Sequence, residues 1–148
     1  METGNLIISV DEALSNTEIA TTVPRDVLED SPWVYRGRCV KVVDGDTYDI
    51  LVDCGFSIYH RIRVRLRGVD TPEIFGPKAC EAGRIAKQHV ETSILDREVQ
   101  VRTYKKTATS YNRWEADVYF KEEGGLTVNL AKFLVLNGYG VQVEGYII

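Results

Sequence analysis

Apolar and polar residues alternate along three stretches between residues 36 and 69, and along two more after residue 97. A period of two is typical of strands that bury one face. The pattern therefore predicts five strands, which cover residues 36–43, 47–54, 58–69, 98–105 and 113–120. The short connections between the first three strands favour antiparallel pairing.

A spacing of three to four residues separates the apolar positions after Pro77, which are Ala79, Ala82, Ala86 and Val90. This spacing predicts a helix within residues 78–95, and Pro77 lies where helices often begin. A second, shorter apolar helix is predicted over residues 128–138, where Asn137 and Gly138 end it.

The predicted order, β-β-β-α-β-β-α, differs from the strict strand–helix alternation of a parallel sheet. Five strands with a helix after the third are typical of a small, partly open Greek-key barrel of the oligonucleotide-binding (OB) type. The sequence therefore predicts a mainly β fold with helices, organised as a five-stranded Greek-key OB-fold barrel.

The chain has 148 residues, which fits a single domain of ordinary size. Its first 34 residues are polar, and they are interrupted by Pro24 and Pro32. Ser9 and Glu12 have the spacing of a capping box, which predicts a short helix there. We therefore divide the chain into an acidic N-terminal extension, residues 1–34, and a barrel domain, residues 35–148.

The net charge of −4 is unevenly distributed along the chain. Residues 1–35 carry −6, residues 36–113 carry +5 and residues 114–148 carry −3. A basic central segment that also contains carboxylates suits an anionic substrate bound at a metal site. The alternative is an ordinary solvated surface of mixed sign, which composition alone favours.

Cys39, Cys54 and Cys80 are odd in number and irregularly spaced. They are expected to be reduced thiols in or near the core, in preference to a disulfide or a zinc site. No apolar run approaches the roughly 20 residues that span a bilayer. The first residues also lack a basic leader. A cytoplasmic protein without membrane contact is therefore expected.

Three polar segments could carry chemistry. The first is the turn Asp44-Gly45-Asp46-Thr47, and the second is residues 65–73, RLRGVDTPE, where Pro72 stiffens a loop between two carboxylates. The third is residues 110–113, SYNR, which end in an arginine at the start of the fifth strand. Taken singly, each segment also has a structural interpretation: a hairpin turn, a capping device and a surface charge.

In this order and on this strand pattern, the three segments resemble the thermonuclease family, the staphylococcal nuclease-like domains, from about Arg36 to Gly140. The resemblance implies a five-stranded OB barrel that hydrolyses phosphodiester bonds of DNA and RNA with calcium and leaves 3′-phosphate ends. It also implies nucleic acid as the substrate, with single-stranded DNA or RNA expected here.

The resemblance also implies roles for individual residues. Asp46 and Asp70 match the carboxylates that bind the metal, and Thr71 matches the residue that ligates through its backbone carbonyl. Glu73 matches the catalytic glutamate, while Arg65 and Arg113 match the arginines that bind phosphate. Contacts to the terminal phosphate and nucleotide are implied for Lys105, Lys106 and Tyr111.

The chemistry of these side chains supports such roles independently. A hard divalent cation prefers oxygen ligands, so two carboxylates, a carbonyl and water would hold Ca²⁺ weakly, and another divalent cation could replace it. A glutamate can accept or position the proton of an attacking water. A guanidinium offers two parallel donors to phosphate oxygens, a geometry that lysine lacks.

Strand alternation places four arginines on one face of the third strand, namely Arg61, Arg63, Arg65 and Arg67. Only Arg65 is singled out, by its spacing to Asp70 and Glu73. The other three are interpreted as surface charge that helps to attract a polyanion. Trp33 and Trp114 are interpreted as packing residues in preference to base-stacking platforms.

Two other functions remain open at this point. A binding module of the same fold would hold nucleic acid or protein without cutting it, although it would have no chemical reason to keep the full set of carboxylates and arginines. A protein-interaction domain would use the acidic extension and keep the barrel as a scaffold. Residues 141–148, VQVEGYII, predict a strand or extended arm, and two chains could pair through it as a homodimer.

Overall fold

The computed structural model describes residues 32–107 and 113–148, without the side chains of residues 105–107. The strands of these residues are β1 (Val34–Asp44), β2 (Thr47–Asp53), β3 (Tyr59–Leu66), β4 (Val69–Asp70), β5 (Glu98–Thr107), β6 (Arg113–Lys121), β7 (Thr127–Asn129) and β8 (Val141–Gln142). The helices are α1 (Glu81–Ile94) and α2 (Leu130–Leu136), and Gly76–Lys78 form a 3-10 turn. The predicted extension, residues 1–34, lies almost entirely outside the described residues.

Five strands close into a barrel, as the sequence predicts. β1 pairs antiparallel with β2 and with β5, β2 pairs antiparallel with β3, and β5 pairs antiparallel with β6. A parallel pairing of β3 with β6 closes the ring. This closed sheet with two helices confirms the predicted mainly β, OB-type barrel.

The barrel interior is filled by apolar side chains that alternate along each strand. Tyr48, Ile50 and Val64 are fully buried there, together with Val101 and Val118. Helix α1 buries Gly83, Ala86, Val90 and Ile94 against this core. Burial at intervals of three and four residues is the signature of an amphipathic helix.

The structure corrects the helix prediction at its N-terminal end. Pro77 lies in the separate 3-10 turn, and α1 begins only at Glu81, after Cys80. Ala79 and Ala82, which share the predicted apolar spacing, are exposed. The stretch before Cys80 is therefore a loop, and this loop carries the second chemical segment.

The third predicted strand is also interrupted. β3 ends at Leu66, and Gly68 then takes a φ of 84°, in the left-handed region that favours glycine. The chain turns there and resumes as β4, which pairs with β8 instead of continuing in the barrel. This turn brings Asp70 back toward the end of β3.

The C-terminal residues confirm the prediction of a strand and extended arm. β8 pairs antiparallel with β4, and the Val143 amide donates to the Gly68 carbonyl at 2.9 Å. The Tyr146 hydroxyl donates to Oε2 of Glu115 at 3.1 Å, and Ile148 packs against the core. The arm therefore covers the outer surface of the barrel beside β4 and β6.

All three cysteines are free thiols, but the predicted position in or near the core holds for only one of them. Cys39 is fully buried in the core, but Cys54 and Cys80 are exposed. Cys54 follows the end of β2, and Cys80 precedes helix α1. Both positions are ends of elements, where a side chain reaches solvent more easily than in the middle of a core strand.

The longest helix in the described part of the chain is α1, with 14 residues, and α2 has seven. Within residues 32–107 and 113–148, no helix is long and apolar enough to cross a lipid bilayer.

Candidate active site

The first chemical segment forms the tight turn between β1 and β2. Asp44 and Thr47 pair across the hairpin, so Gly45 and Asp46 are its two loop residues. The Asp46 amide donates to Oδ1 of Asp44 at 3.0 Å, and the Asp46 carbonyl accepts from the Leu66 amide at 2.9 Å. The turn is therefore fixed against the end of β3, and Asp46 is only 9% exposed.

Arg65 connects this turn to the β3–β4 segment. Its Nη1 donates to the carbonyls of Leu66 at 2.6 Å and Val69 at 2.7 Å. Its Nη2 contacts the Asp70 carboxylate and lies 3.5 Å from Oδ2 of Asp46. One guanidinium thus joins two carboxylates that are 24 positions apart in the sequence.

The residue after Asp70 is held by the same turn. The Thr71 amide donates to Oδ2 of Asp46 at 3.1 Å, and Thr71 is buried. A Cβ added at Gly45 would lie 2.5 Å from Oγ1 of Thr71, and one at Gly140 would lie 3.1 Å from the Asp70 carbonyl oxygen. Glycine at these two positions therefore permits the close packing that fixes residues 70–71.

Glu73 is exposed, and its backbone is anchored by helix α1. The Cys80 amide donates to the Glu73 carbonyl at 3.1 Å. A Cβ at Gly83 would lie 2.2 Å from that carbonyl oxygen, so the first turn of the helix contacts the loop through bare backbone. The carboxylate is thus presented to solvent from a fixed backbone position.

Arg113 is the first residue of β6 and is half-buried. Its Nη1 donates to Oγ1 of Thr47 at 3.4 Å, and the Thr47 hydroxyl donates to Oδ1 of Asp46 at 3.3 Å. Arg113 therefore lies beside the same hairpin turn as Arg65. The parallel closure of the barrel explains this, because it pairs the start of β6 with β3.

Burial is the main cause that raises the pKa of the Asp46 carboxyl above its ordinary value. Its hydrogen bond with Asp44 raises the pKa further, whereas the positive charge of Arg65 lowers it. When a buried carboxyl group lies beside a second carboxylate, here Asp44, a neighbouring cation stabilises its charged form. In this structure that cation is the Arg65 guanidinium.

The donor chemistry fits a hard divalent cation, although the set of protein ligands is small. Asp46 and Asp70 supply carboxylate oxygens near one guanidinium, and the Thr71 backbone is adjacent. Within the described ranges, no group of three or more His, Cys, Asp or Glu side chains is arranged to hold a metal. Water would have to complete the coordination of an ion here.

Two arginines of the stripe have partners that the sequence interpretation missed. Asp49, on β2, is buried and accepts from Arg61 Nη2 at 3.0 Å and from Arg63 Nε at 2.7 Å. Arg61 and Arg63 are exposed, as the interpretation of surface charge requires, but each is also paired with a buried carboxylate. Cross-strand pairing of β2 with β3 was the available signal, because it places Asp49 directly opposite Arg63.

Arg67 is also a packing residue. Its guanidinium lies 4.7 Å from the ring centroid of Tyr104 and 5.0 Å from that of Tyr146. Such contacts between a cation and aromatic faces stabilise a packed arrangement. Arg67 therefore fastens the C-terminal arm to the barrel, and Arg65 is left as the arginine of this strand that faces the two site carboxylates.

The three residues expected to contact nucleotide are only partly placed. Lys105 and Lys106 lie on β5, on the side of the barrel where β6 begins, but their side chains are outside the described set. Tyr111 lies outside the described residues altogether. Their roles stay predictions.

Known proteins resemble part of this chain. The family described as Staphylococcal nuclease homologue matches residues 63–147. A micrococcal nuclease of Shigella flexneri is 33% identical over 108 residues, which cover 70% of this chain and 56% of that protein. Protein ParB of Escherichia coli is 38% identical over 73 residues, covering 46% of this chain and 38% of that protein.

The chain thus spans between about two fifths and just over half the length of these two relatives. The matched family segment begins at Arg63, includes Arg65, Asp70, Glu73 and Arg113, and covers more than half of the sequence. On the barrel and this match together, the chain belongs to the staphylococcal nuclease homologue family, the thermonuclease-like domains.

Proposed function

We propose that this protein is a calcium-dependent nuclease that hydrolyses phosphodiester bonds of DNA and RNA and leaves 3′-phosphate ends. The observation that carries the proposal is the joining of Asp46 and Asp70 by the Arg65 guanidinium. A structural ion pair needs one carboxylate. Two carboxylates that converge on one arginine, followed three residues later by a solvent-exposed glutamate, suit a phosphate and its counterion.

Arg65 and Arg113 are proposed to bind the oxygens of the scissile phosphate. Both lie beside the Asp46 turn, Arg65 through its ion pairs and Arg113 through Thr47. Guanidinium groups donate two parallel hydrogen bonds to phosphate oxygens, on which charge grows during attack. Removal of one such preorganised donor typically costs on the order of 10² to 10³ in rate.

Glu73 is proposed to accept a proton from the attacking water. Its exposed carboxylate can reach solvent, while its backbone is fixed by Cys80 and packed against Gly83. A fixed backbone with a solvent-facing carboxylate suits a general base, since the base must meet water in a constant position.

Asp46, Asp70 and the Thr71 carbonyl are proposed to hold Ca²⁺, and another divalent cation could occupy the same ligands. When bound, the ion would neutralise charge on the phosphate and help to polarise it. The same two carboxylates, Asp46 and Asp70, hold Arg65 in this structure. Binding of a cation to them would therefore free the Arg65 guanidinium to contact a phosphate. With few protein ligands, an affinity in the range of roughly 10⁻⁴ to 10⁻³ M is expected.

Lys105, Lys106 and Tyr111 are proposed to contact the terminal phosphate and nucleotide of a single-stranded DNA or RNA substrate. Pairing of two chains as a homodimer stays a prediction, which sedimentation of the purified protein would test.

The proposal is tested by incubating single-stranded DNA and RNA with the protein in Ca²⁺ and in chelator, and identifying the product ends. We expect cleavage in Ca²⁺ but not in chelator, with products that end in a 3′-phosphate. Glu73→Gln and Arg113→Lys should each lose most activity. Arg84→Lys is the matched control, because Arg84 is exposed on helix α1 and pairs with Glu81 one helical turn away.

Wild-type cleavage by both Glu73→Gln and Arg113→Lys would contradict the assignment. Full activity in chelator would contradict only the proposed role of the metal, and not the roles of the side chains. Salt-sensitive binding of nucleic acid without cleavage in any divalent cation would instead support the alternative of a non-catalytic binding module.

A further inference from the structure

A cavity of about 290 Å³ opens at one end of the barrel, away from the β1–β2 turn. Its lining is mainly aromatic and apolar, and it consists of Trp33, Tyr35, Val52, Cys54, His60, Ile62, Thr103, Tyr104 and Trp114. Ligand pockets in proteins start at roughly 300 Å³, so this volume suits one small ring system. Mouths of β-barrels are frequent positions for such pockets.

Both tryptophans of the chain line this one cavity. Trp33 is 39% exposed and Trp114 is 38% exposed, so each packs against the barrel over most of its surface and also presents part of its ring to solvent. Tyr35 and His60 add further ring surface and hydrogen-bonding groups to the lining. A planar ring with polar edges would match this combination.

The cavity and the proposed phosphate site share strands β3 and β6, although no residue of that site lines the cavity. Trp114 directly follows Arg113, and neighbouring residues of a strand face opposite sides. At the start of β6, Arg113 therefore faces the outer surface with Arg65, while Trp114 faces the barrel end. On β3, Ile62 of the cavity and Arg65 of the site are three residues apart, which is about 10 Å of strand.

We propose that this cavity binds one unpaired base of the nucleic-acid substrate, on the strand whose phosphate is held at Arg113. The inference rests on the proposed function for its substrate class. Every base has a flat face that stacks on aromatic side chains, with little dependence on sequence. OB-type folds hold single strands over about 4 to 16 nucleotides, so one bound strand can extend from the arginines to this cavity.

The cavity would also distinguish strand types. A base in a duplex is already stacked and paired, so it could enter only after extrusion from the helix. Binding of a base in the cavity would therefore favour single-stranded over double-stranded nucleic acid. It adds a base-stacking contact to the phosphate contacts of the arginines.

Tryptophan fluorescence reports on this cavity alone, because the chain has no tryptophan elsewhere. The full chain is titrated in chelator with oligothymidylate, so that no cleavage occurs. Saturable quenching is expected with the single strand, and much weaker quenching with a duplex of equal length. Trp114→Ala should weaken oligothymidylate affinity about 5- to 150-fold by anisotropy, the range for loss of one stacked base.

Phe56→Ala is the matched control. Phe56 is an aromatic residue that is 96% exposed, near the cavity in the β2–β3 turn but absent from its lining. It should leave affinity and quenching unchanged. Trp114→Phe keeps a stacking surface and should restore most of the affinity, which separates stacking from a folding defect in Trp114→Ala.

Absence of quenching at saturating oligothymidylate would overturn the proposal. Equal loss of affinity in Phe56→Ala and Trp114→Ala would overturn it as well, and so would failure of Trp114→Phe to restore binding when its circular dichroism is unchanged. Binding with quenching but without cleavage would contradict the nuclease proposal and leave the base-binding proposal intact. Cleavage without quenching would contradict the base-binding proposal and leave the nuclease proposal intact.

Discussion

The Arg65 guanidinium contacts the Asp70 carboxylate across the turn that separates β3 from β4. The same side chain caps two backbone carbonyls of that turn. Arg65 therefore both shapes the loop and presents a positive charge between the site carboxylates, so a substitution there affects stability as well as activity.

We expect Arg65→Lys to lower cleavage by roughly 10²- to 10³-fold, because an ammonium cannot donate in parallel to phosphate. Loss of the two carbonyl contacts should also lower the free energy of unfolding by about 1 to 2 kcal/mol. Steady-state kinetics and urea unfolding measure the two effects. Full activity with unchanged stability would contradict this dual role.

Gly83→Ala should displace Glu73. Helix propensity alone would favour alanine by roughly 0.5 to 1 kcal/mol, but its Cβ would lie 2.2 Å from the Glu73 carbonyl oxygen. We expect kcat to fall about 10- to 100-fold with little change in KM, because misplacement of a base affects the chemical step. Gln88→Ala, at an exposed position of the same helix, is the control. An unchanged kcat in a folded Gly83→Ala protein would refute the positioning of Glu73 by α1.

Asp49 should contribute stability that depends on pH. Its hydrogen bonds with Arg63, and then with Arg61, hold its pKa below the ordinary value, although burial opposes them. The carboxyl is thus easier to protonate in the unfolded chain, so its contribution is present above the unfolded pKa of about 3.9 and is lost as pH falls through the lower folded value.

Asp49→Asn should accordingly destabilise the protein by about 1 to 3 kcal/mol at pH 7, because it weakens hydrogen bonds to charged groups. The difference from the parent chain should shrink as the pH falls below 4. Thermal unfolding from pH 7 to pH 2.5 gives the comparison. A difference that stays constant over that range would count against the ion pairs.

Two of the three cysteines should react with iodoacetamide in the folded protein. Burial raises the pKa of the Cys39 thiol to about 11, which keeps it neutral and unreactive near pH 8. Cys54 and Cys80 are exposed. Mass spectrometry should detect two adducts natively and three after unfolding in guanidinium. Three native adducts formed at one rate would contradict the burial of Cys39.

The sequence alone predicted the elements of the barrel, and its resemblance to a known family implied the residues of the candidate site. Alternation predicted the barrel strands because each has one buried face, and the Asp44-Gly45 pair indicated a hairpin turn between the first two. The residues implied by the resemblance at positions 46, 65, 70, 71 and 113 do meet in the structure, beside one hairpin turn. Their catalytic and metal-binding roles stay proposals.

Only the tertiary structure showed that arginines with the same spacing in the sequence have different partners. The four arginines of the predicted third strand alternate regularly, but Arg61 and Arg63 pair with Asp49, Arg67 packs on two tyrosine rings, and Arg65 reaches the site carboxylates. Spacing along the chain singled out Arg65 but could not separate the other three, because their partners come from β2, from β5 and from the C-terminal arm. Strand pairing and barrel closure bring those partners together, and neither is encoded in the spacing of a single strand.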